Sequence, residues 1–184
     1  EELEYDKDTR GTTITAFGAT TGKGYNDAKR LFKEYGTSAE DLGLGNFQRF
    51  KKNIHNLRDN PKWQQAVWRW FHSEYVAPSV SALEGLGFTS ALTVAAVTDC
   101  ALNQGFTGKH GGKTLMGMVG RARSEEAFLR RFLDERAKVA DKNSYNENGN
   151  GARRVGMYRK LLDQGQLDLR DKDRVRDAMS WKMH

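Results

Sequence analysis

Apolar residues recur at three- and four-residue spacing along most of this chain. It therefore reads as a succession of helices separated by Gly-, Asn- and Pro-marked breaks. Asn26-Asp27-Ala28 opens a helix that runs to about Tyr35, with Leu31, Phe32 and Tyr35 on its apolar side and Gly36 as the stop. Thr37-Ser38-Ala39-Glu40 has the spacing of a capping box and opens a short turn ending in Gly43-Leu44-Gly45. Phe47, Phe50, Ile54 and Leu57 form the stripe of an amphipathic helix that Asp59-Asn60-Pro61 ends. Pro61 to about Ser81 carries Trp63, Val67, Trp68, Trp70, Phe71, Tyr75 and Val76. That is too apolar for a one-sided surface helix, so a central position or a bend near Pro78 is expected.

Thr89-Ser90 caps the most hydrophobic helix, Ala91 to Gln104, which Gly105 terminates. A flexible glycine-rich loop, Gly105 to Gly112, leads to a short helix around Leu115, Met116 and Val119. Ser124-Glu125-Glu126-Ala127 starts the next helix, with Phe128, Leu129, Phe132, Leu133 and Val139 inward. A polar loop from Asn143 to Gly151 precedes a last helix from about Ala152 to Asp163, ended by Gly165. Only the N-terminal stretch departs from this pattern. In Tyr5 to Gly22 a carboxylate precedes a tight Gly turn, and a β-branched run and a Gly/Thr-rich loop follow. That stretch reads as a β-hairpin presenting Asp8 to a cleft. The fold class expected is α+β, mostly α, in one domain over 1–184.

Composition narrows the class. The 184 residues are 38% hydrophobic and 10% aromatic, enough for a packed core. No apolar run reaches the ~20 residues of a membrane helix, so no membrane insertion is expected. The single Cys100 excludes an intramolecular disulfide, and its apolar surroundings make it a buried free thiol. The net charge is +6, and the stretch from Arg121 to His184 holds 16 Lys/Arg against 11 Asp/Glu. Such an excess suits a polyanion or a solvated helical surface. The cations are interleaved with acids and carry no reading motif, so nucleic acid is not an expected partner.

Candidate chemistry is then a matter of elimination. His55, His72, His110 and His184 are scattered without a ligand spacing, so neither a metal nor another cofactor is expected. There is no nucleophile elbow, and the glycine-rich loops lack the GxxxxGK[ST] of a phosphate loop. Carboxylates remain. On a strand Arg10 points to the same side as Asp8, where its charge keeps Asp8 ionised. Thr13 is placed to hold a water. An ionised carboxylate beside a held water is a general base; ordinary turn chemistry is the plainer alternative for an Asp before a Gly.

The Asp8-x-Arg10-Gly11-x-Thr13 stretch resembles the Asp-Gly-Arg-Gly-x-Thr motif of family 46 glycoside hydrolases, the chitosanases, in the wider lysozyme-like superfamily. Phe17-Gly18 and Thr20-Thr21-Gly22 resemble the loop that follows it. The likeness runs on through Asp99-Cys100-Ala101-Leu102-Asn103-Gln104-Gly105, Phe132-Leu133-Asp134-Glu135-Arg136, Arg154-Val155, Gly165-Gln166-Leu167-Asp168-Leu169 and Trp181-Lys182, in order along nearly the whole chain. The resemblance implies Asp8 as the general base and Thr13 as the residue that helps place the attacking water. It implies substrate-side roles for Arg10, Glu4 and Asp27, and a structural ion pair of Asp99 with Arg154 behind the cleft. Its catalytic acid is a Glu on a helix upstream of the base, whereas only seven residues precede Asp8 here. The acid is therefore expected upstream of Glu1, with Glu2 as the candidate inside the chain.

The expectation is a lysozyme-like fold, a small N-terminal β-hairpin with a helical major lobe, its two lobes flanking a cleft. The activity expected is endo-acting, inverting hydrolysis of β-1,4 linkages in an amino-sugar polysaccharide, chitosan first. A peptidoglycan muramidase, favoured by the basic charge, is the alternative; a non-catalytic carbohydrate-binding module is a third. A polysaccharide is the expected partner of a secreted, extracellular monomer.

Overall fold

The computed structural model describes residues 4–5, 14–15, 30–38, 40–43, 47–140 and 150–180. The chain divides into two compact units, Glu1–Ser73 and Glu74–His184. Among the described residues the protein is mostly helical. In the first unit, β1 (Glu4–Tyr5) pairs antiparallel with β2 (Ile14–Thr15), Glu4 opposite Thr15 and Tyr5 opposite Ile14. Two residues a side is too short a ladder to stand alone. The hairpin turn expected between them, and its presentation of Asp8, lie outside the described residues.

The rest of the first unit is built on aromatic packing. Helix α1 (residues 30–35) ends at Gly36, whose φ of 90° suits a residue without a Cβ. The turn after it carries a capping box one residue later than the sequence suggests. Ser38 Oγ accepts from the Asp41 amide, and the Asp41 carboxylate accepts from the Ser38 amide. Asp41 thus takes the place expected of Glu40, closing the loop with a shorter side chain. Helices α2 (Phe47–Asn56) and α3 (Pro61–Phe71) follow. Asn60 caps α3 by accepting from the Lys62 and Trp63 amides, and Pro61 fits the first turn, where no amide is needed. Phe32 meets Phe50 edge-on and stacks on Trp63, and Tyr35 meets Trp63 edge-on at 5.1 Å. Trp63, Ala66 and Trp70 face this core.

The long helix expected from Pro61 to Ser81 is broken, though not at Pro78 itself. A π stretch, His72–Val76, separates α3 from α4 (Ala77–Glu84). Pro78 cannot donate to the carbonyl four residues back and its ring crowds that carbonyl. The wider π turn lies where that bond is lost.

The second unit is organised around α5 (Ala91–Gln104), which packs against α4, α6 (Gly112–Val119), α7 (Glu125–Ala140) and α8 (Asn150–Asp163). Leu92, Ala96, Val97 and Cys100 of α5 join Leu83, Leu115, Phe128, Phe132, Leu133, Val155 and Leu161 in one core. Two polar ties fix the N-terminal end of α5. Ser90 Oγ accepts from the Thr93 amide, while the Ser90 amide donates to Glu125 Oε1 at 2.8 Å. Burial pushes the Glu125 carboxyl up, but hydrogen bonds from Ser90, Thr93 and Thr89 together outweigh it and its pKa is lowered. The glycine-rich loop before α6 is closed rather than loose. The Gly112 amide donates to Gly105 O and the Lys113 amide to Phe106 O. A Cβ on Gly111 would stand 2.8 Å from Phe106 O, so only glycine lets the loop fold back this far.

A further helix, α9 (Lys172–Met179), follows the expected last one. Asp171 caps it, accepting from the Asp173 and Arg174 amides. Its sequence is dominated by charge, and only Val175, Ala178 and Met179 turn to the core. Hydrophobic periodicity is weak in so short and polar a segment, which is why the pattern misses it.

Candidate active site

The one carboxylate in the most apolar helix is Asp99, on the buried side of α5. A lone buried carboxylate is costly, and this one is not alone. Arg154 Nη1 of α8 lies 2.6 Å from Asp99 Oδ1, and Arg136 Nη2 of α7 lies 2.7 Å from Asp99 Oδ2. Each oxygen therefore takes one guanidinium, and the pair of contacts ties α5 to α7 and α8. The Arg136 side chain is 0% exposed, Asp99 10% and Arg154 26%. Arg136 Nη1 reaches Ala96 O at 3.5 Å.

Helical spacing completes the cluster. Tyr158 sits one turn beyond Arg154 on α8, and its ring lies under the Arg136 guanidinium at 6.0 Å. Its hydroxyl donates to Ala95 O at 3.2 Å. Burial, then the charge of Asp99, pushes the Tyr158 phenol well above its ordinary range. Cys100, the next residue after Asp99, donates its thiol to Gln104 Oε1 at 2.9 Å. Burial pushes that thiol up to about 12 against the pull of Arg136, with Asp99 adding to the rise. A thiol so held is no nucleophile at neutral pH.

Glu2, Asp8, Arg10, Thr13 and Asp27 lie outside the described residues. Glu4 lies on β1 opposite Thr15, and its side chain is not described. Among the described residues no three His, Cys, Asp or Glu side chains converge as a metal-ligand set.

Sequence reasoning missed the role of Arg136, although the signal was present. Positions 128, 129, 132, 133, 136, 139 and 140 form the buried stripe of α7, and a charged residue within such a stripe needs a buried counter-ion. Asp99, the unmatched acid of an apolar helix, is that counter-ion. Trp68 shows the opposite: read with its neighbours as part of an apolar helix, it is 58% exposed.

A helical scaffold closed by a buried arginine–carboxylate cluster defines a structural class; comparison with known proteins gives the family. The sequence profile of glycosyl hydrolase family 46 matches residues 36–171. A chitosanase of Niallia circulans is 34% identical over 213 aligned positions, covering 100% of this chain and 69% of the relative. Two solved structures share the fold. A GH46 chitosanase of Gynuella sunshinyii in complex with chitotetraose superposes with a TM-score of 0.68 at 22% identity, covering 92% of this chain and 82% of the other. A native chitosanase of Bacillus subtilis MY002 gives 0.64 at 15% identity, covering 91% and 82%. The chain belongs to glycosyl hydrolase family 46, and it is a glycosidase.

Proposed function

We propose that this protein is an endo-acting chitosanase that cleaves β-1,4 linkages between glucosamine units with inversion. The observation that carries the reading is the whole-chain similarity to the Niallia circulans chitosanase. The Asp8-x-Arg10-Gly11-x-Thr13 stretch supports it as the motif of the base. Asp8 takes a proton from a water held by Thr13, and that water attacks the anomeric carbon from the face opposite the leaving group. Arg10 keeps Asp8 ionised at working pH. A protonated Glu, on a segment upstream of Glu1 or at Glu2, gives its proton to the glycosidic oxygen. Roughly 6.5–9.5 Å between the two carboxyls leaves room for the water. Glu4 and Asp27 meet the cationic amino sugars. The Asp99–Arg154 pair, joined by Arg136, acts as a structural brace. A polymer substrate is met outside the cell, which supports reading the enzyme as secreted; it is taken to act as a monomer.

Peptidoglycan is the second reading, and the +6 charge favours it, because cell walls are anionic and chitosan is a polycation. Reducing-end release from chitosan, run beside clearing of purified cell walls, separates the two. The expected result is release from chitosan, lost about 10²–10⁴-fold in Asp8→Asn while the fold is kept. Cleared walls with intact chitosan would overturn it.

A further inference from the structure

Helix α3 has two unlike faces. Trp63, Ala66 and Trp70 are buried, whereas Gln64, Gln65, Trp68 and His72 are exposed along one side. Spacings of three, four and four residues keep those four on one strip of the helix. Trp68 is 58% exposed and among the most exposed large apolar residues described. It is also held in place. Its ring centroid lies 6.1 Å from Phe71 and 6.1 Å from His72, tilted to both. Gln64 Nε2 donates to Arg58 O at 2.8 Å, which fixes the amide. A steadied aromatic face bordered by amides suits a sugar ring, whose C–H face stacks on the ring while its hydroxyls meet the amides.

Charge decides which sugar. Only one cationic Lys or Arg, Arg69, lies within a turn of Trp68, and its guanidinium is engaged by Glu34. None of the four strip residues is itself a Lys or Arg that would repel a protonated amine, and a tryptophan face attracts one. We infer that Gln64, Gln65 and Trp68 of α3, with His72 at its C-terminal end, form a polymer-binding platform for protonated glucosamine units, with Trp68 as the stacking ring. The inference rests on the chitosan reading above for the identity of the polymer.

Retardation of the full chain in native gels containing glycol chitosan tests it, with Asp8→Asn in the background so that the polymer survives. Trp68→Ala is expected to weaken retention about two- to fivefold, and Trp68→Phe to recover part of it. A thermal melt checks that both variants fold. On the N-acetylated polymer, which has no ammonium, the loss is expected to be smaller. Unchanged retention in Trp68→Ala, or no retention of the parent chain, overturns the platform. An equal loss on the N-acetylated polymer overturns the ammonium contact. Failure of the platform and failure of the chitosan reading are separable. The first is unchanged retention beside normal reducing-end release; the second is absent release with retention still sensitive to Trp68.

Discussion

Two sets of ion pairs tie together helices of the second unit, and they differ in one physical respect. On the outer faces Arg130 meets Asp163 at 2.8 Å, Arg159 meets Asp134 at 2.6 Å, and Lys160 meets Asp177 at 2.5 Å. All six side chains are 41–66% exposed. In the interior Asp99 meets Arg136 and Arg154 at nearly the same distances, with Arg136 sealed from water. Distance alone does not rank them. A surface pair exchanges water for a partner at little net gain. The interior groups have already lost their water, so each depends on the others. The outer pairs decorate a packing that Phe128, Phe132 and Leu161 already fix, whereas the inner cluster is a condition of burying α5.

The largest effect expected follows from that asymmetry. Asp99→Asn leaves two guanidinia facing one neutral amide, one of them with no route to solvent. A loss of about 3–5 kcal/mol in unfolding free energy is expected, read as a shift of the urea midpoint at constant slope. The replacement Asp99→Leu with Arg136→Met removes charge from both sides, and there the loss should largely disappear. A cost below ~1 kcal/mol for Asp99→Asn would put the interior cluster in the same class as the surface pairs.

Cys100 reads the same interior by a different route, and its effect is intermediate. Its pKa rises from an ordinary 9.0 to about 12, mainly through burial. The sign follows from proton counting. Above pH 9 the unfolded thiol ionises while the folded one keeps its proton, so the native state binds more protons and stability falls as pH rises. The contribution is fully present below pH 9 and is lost as pH climbs toward 12, at about 1.4 kcal/mol per pH unit. Between about pH 8 and about pH 10 the parent should lose roughly 1–2 kcal/mol relative to Cys100→Ala. Other titrating groups are common to both proteins and cancel. Parallel stability curves for the two would mean that water reaches the thiol.

The legibility of these features in the sequence follows the same division. Ala91–Gln104 was readable to the residue, because an uninterrupted apolar segment between Ser90 and Gly105 leaves no other boundary. Asp99 announced itself by being out of place there. Arg136 was overlooked although it falls on the inward stripe with Phe132, Leu133 and Val139, since a single charge in a helix full of Lys, Arg and Glu is easily taken for surface. Helix α9 failed for a related reason: its hold on the core is three side chains, and its cap is a single Asp171. The π stretch before Pro78 has no periodic signature, because it shifts the apolar stripe by one residue inside a segment already rich in aromatics. The stretch around Asp8, proposed to carry the base, was legible only as a motif. The turn chemistry and the function expected of it call on the same residues, so local pattern alone could not separate them.

The smallest effect expected is at the outer faces, and it is what gives the comparison its scale. Arg159→Met and Asp134→Asn, singly and together, form a double-mutant cycle across α7 and α8. A coupling energy of about 0.2–1 kcal/mol is expected. It should fade in 1 M salt, where the screening length falls to about 3 Å. The interior cluster, shielded from ions, should keep its coupling under the same salt. A surface coupling that matched the interior one, or that survived the salt, would show that the helices exclude solvent well beyond the exposure of these side chains. A small, salt-sensitive value would mean that removal from water, not the short contact distance, is what makes Asp99 indispensable.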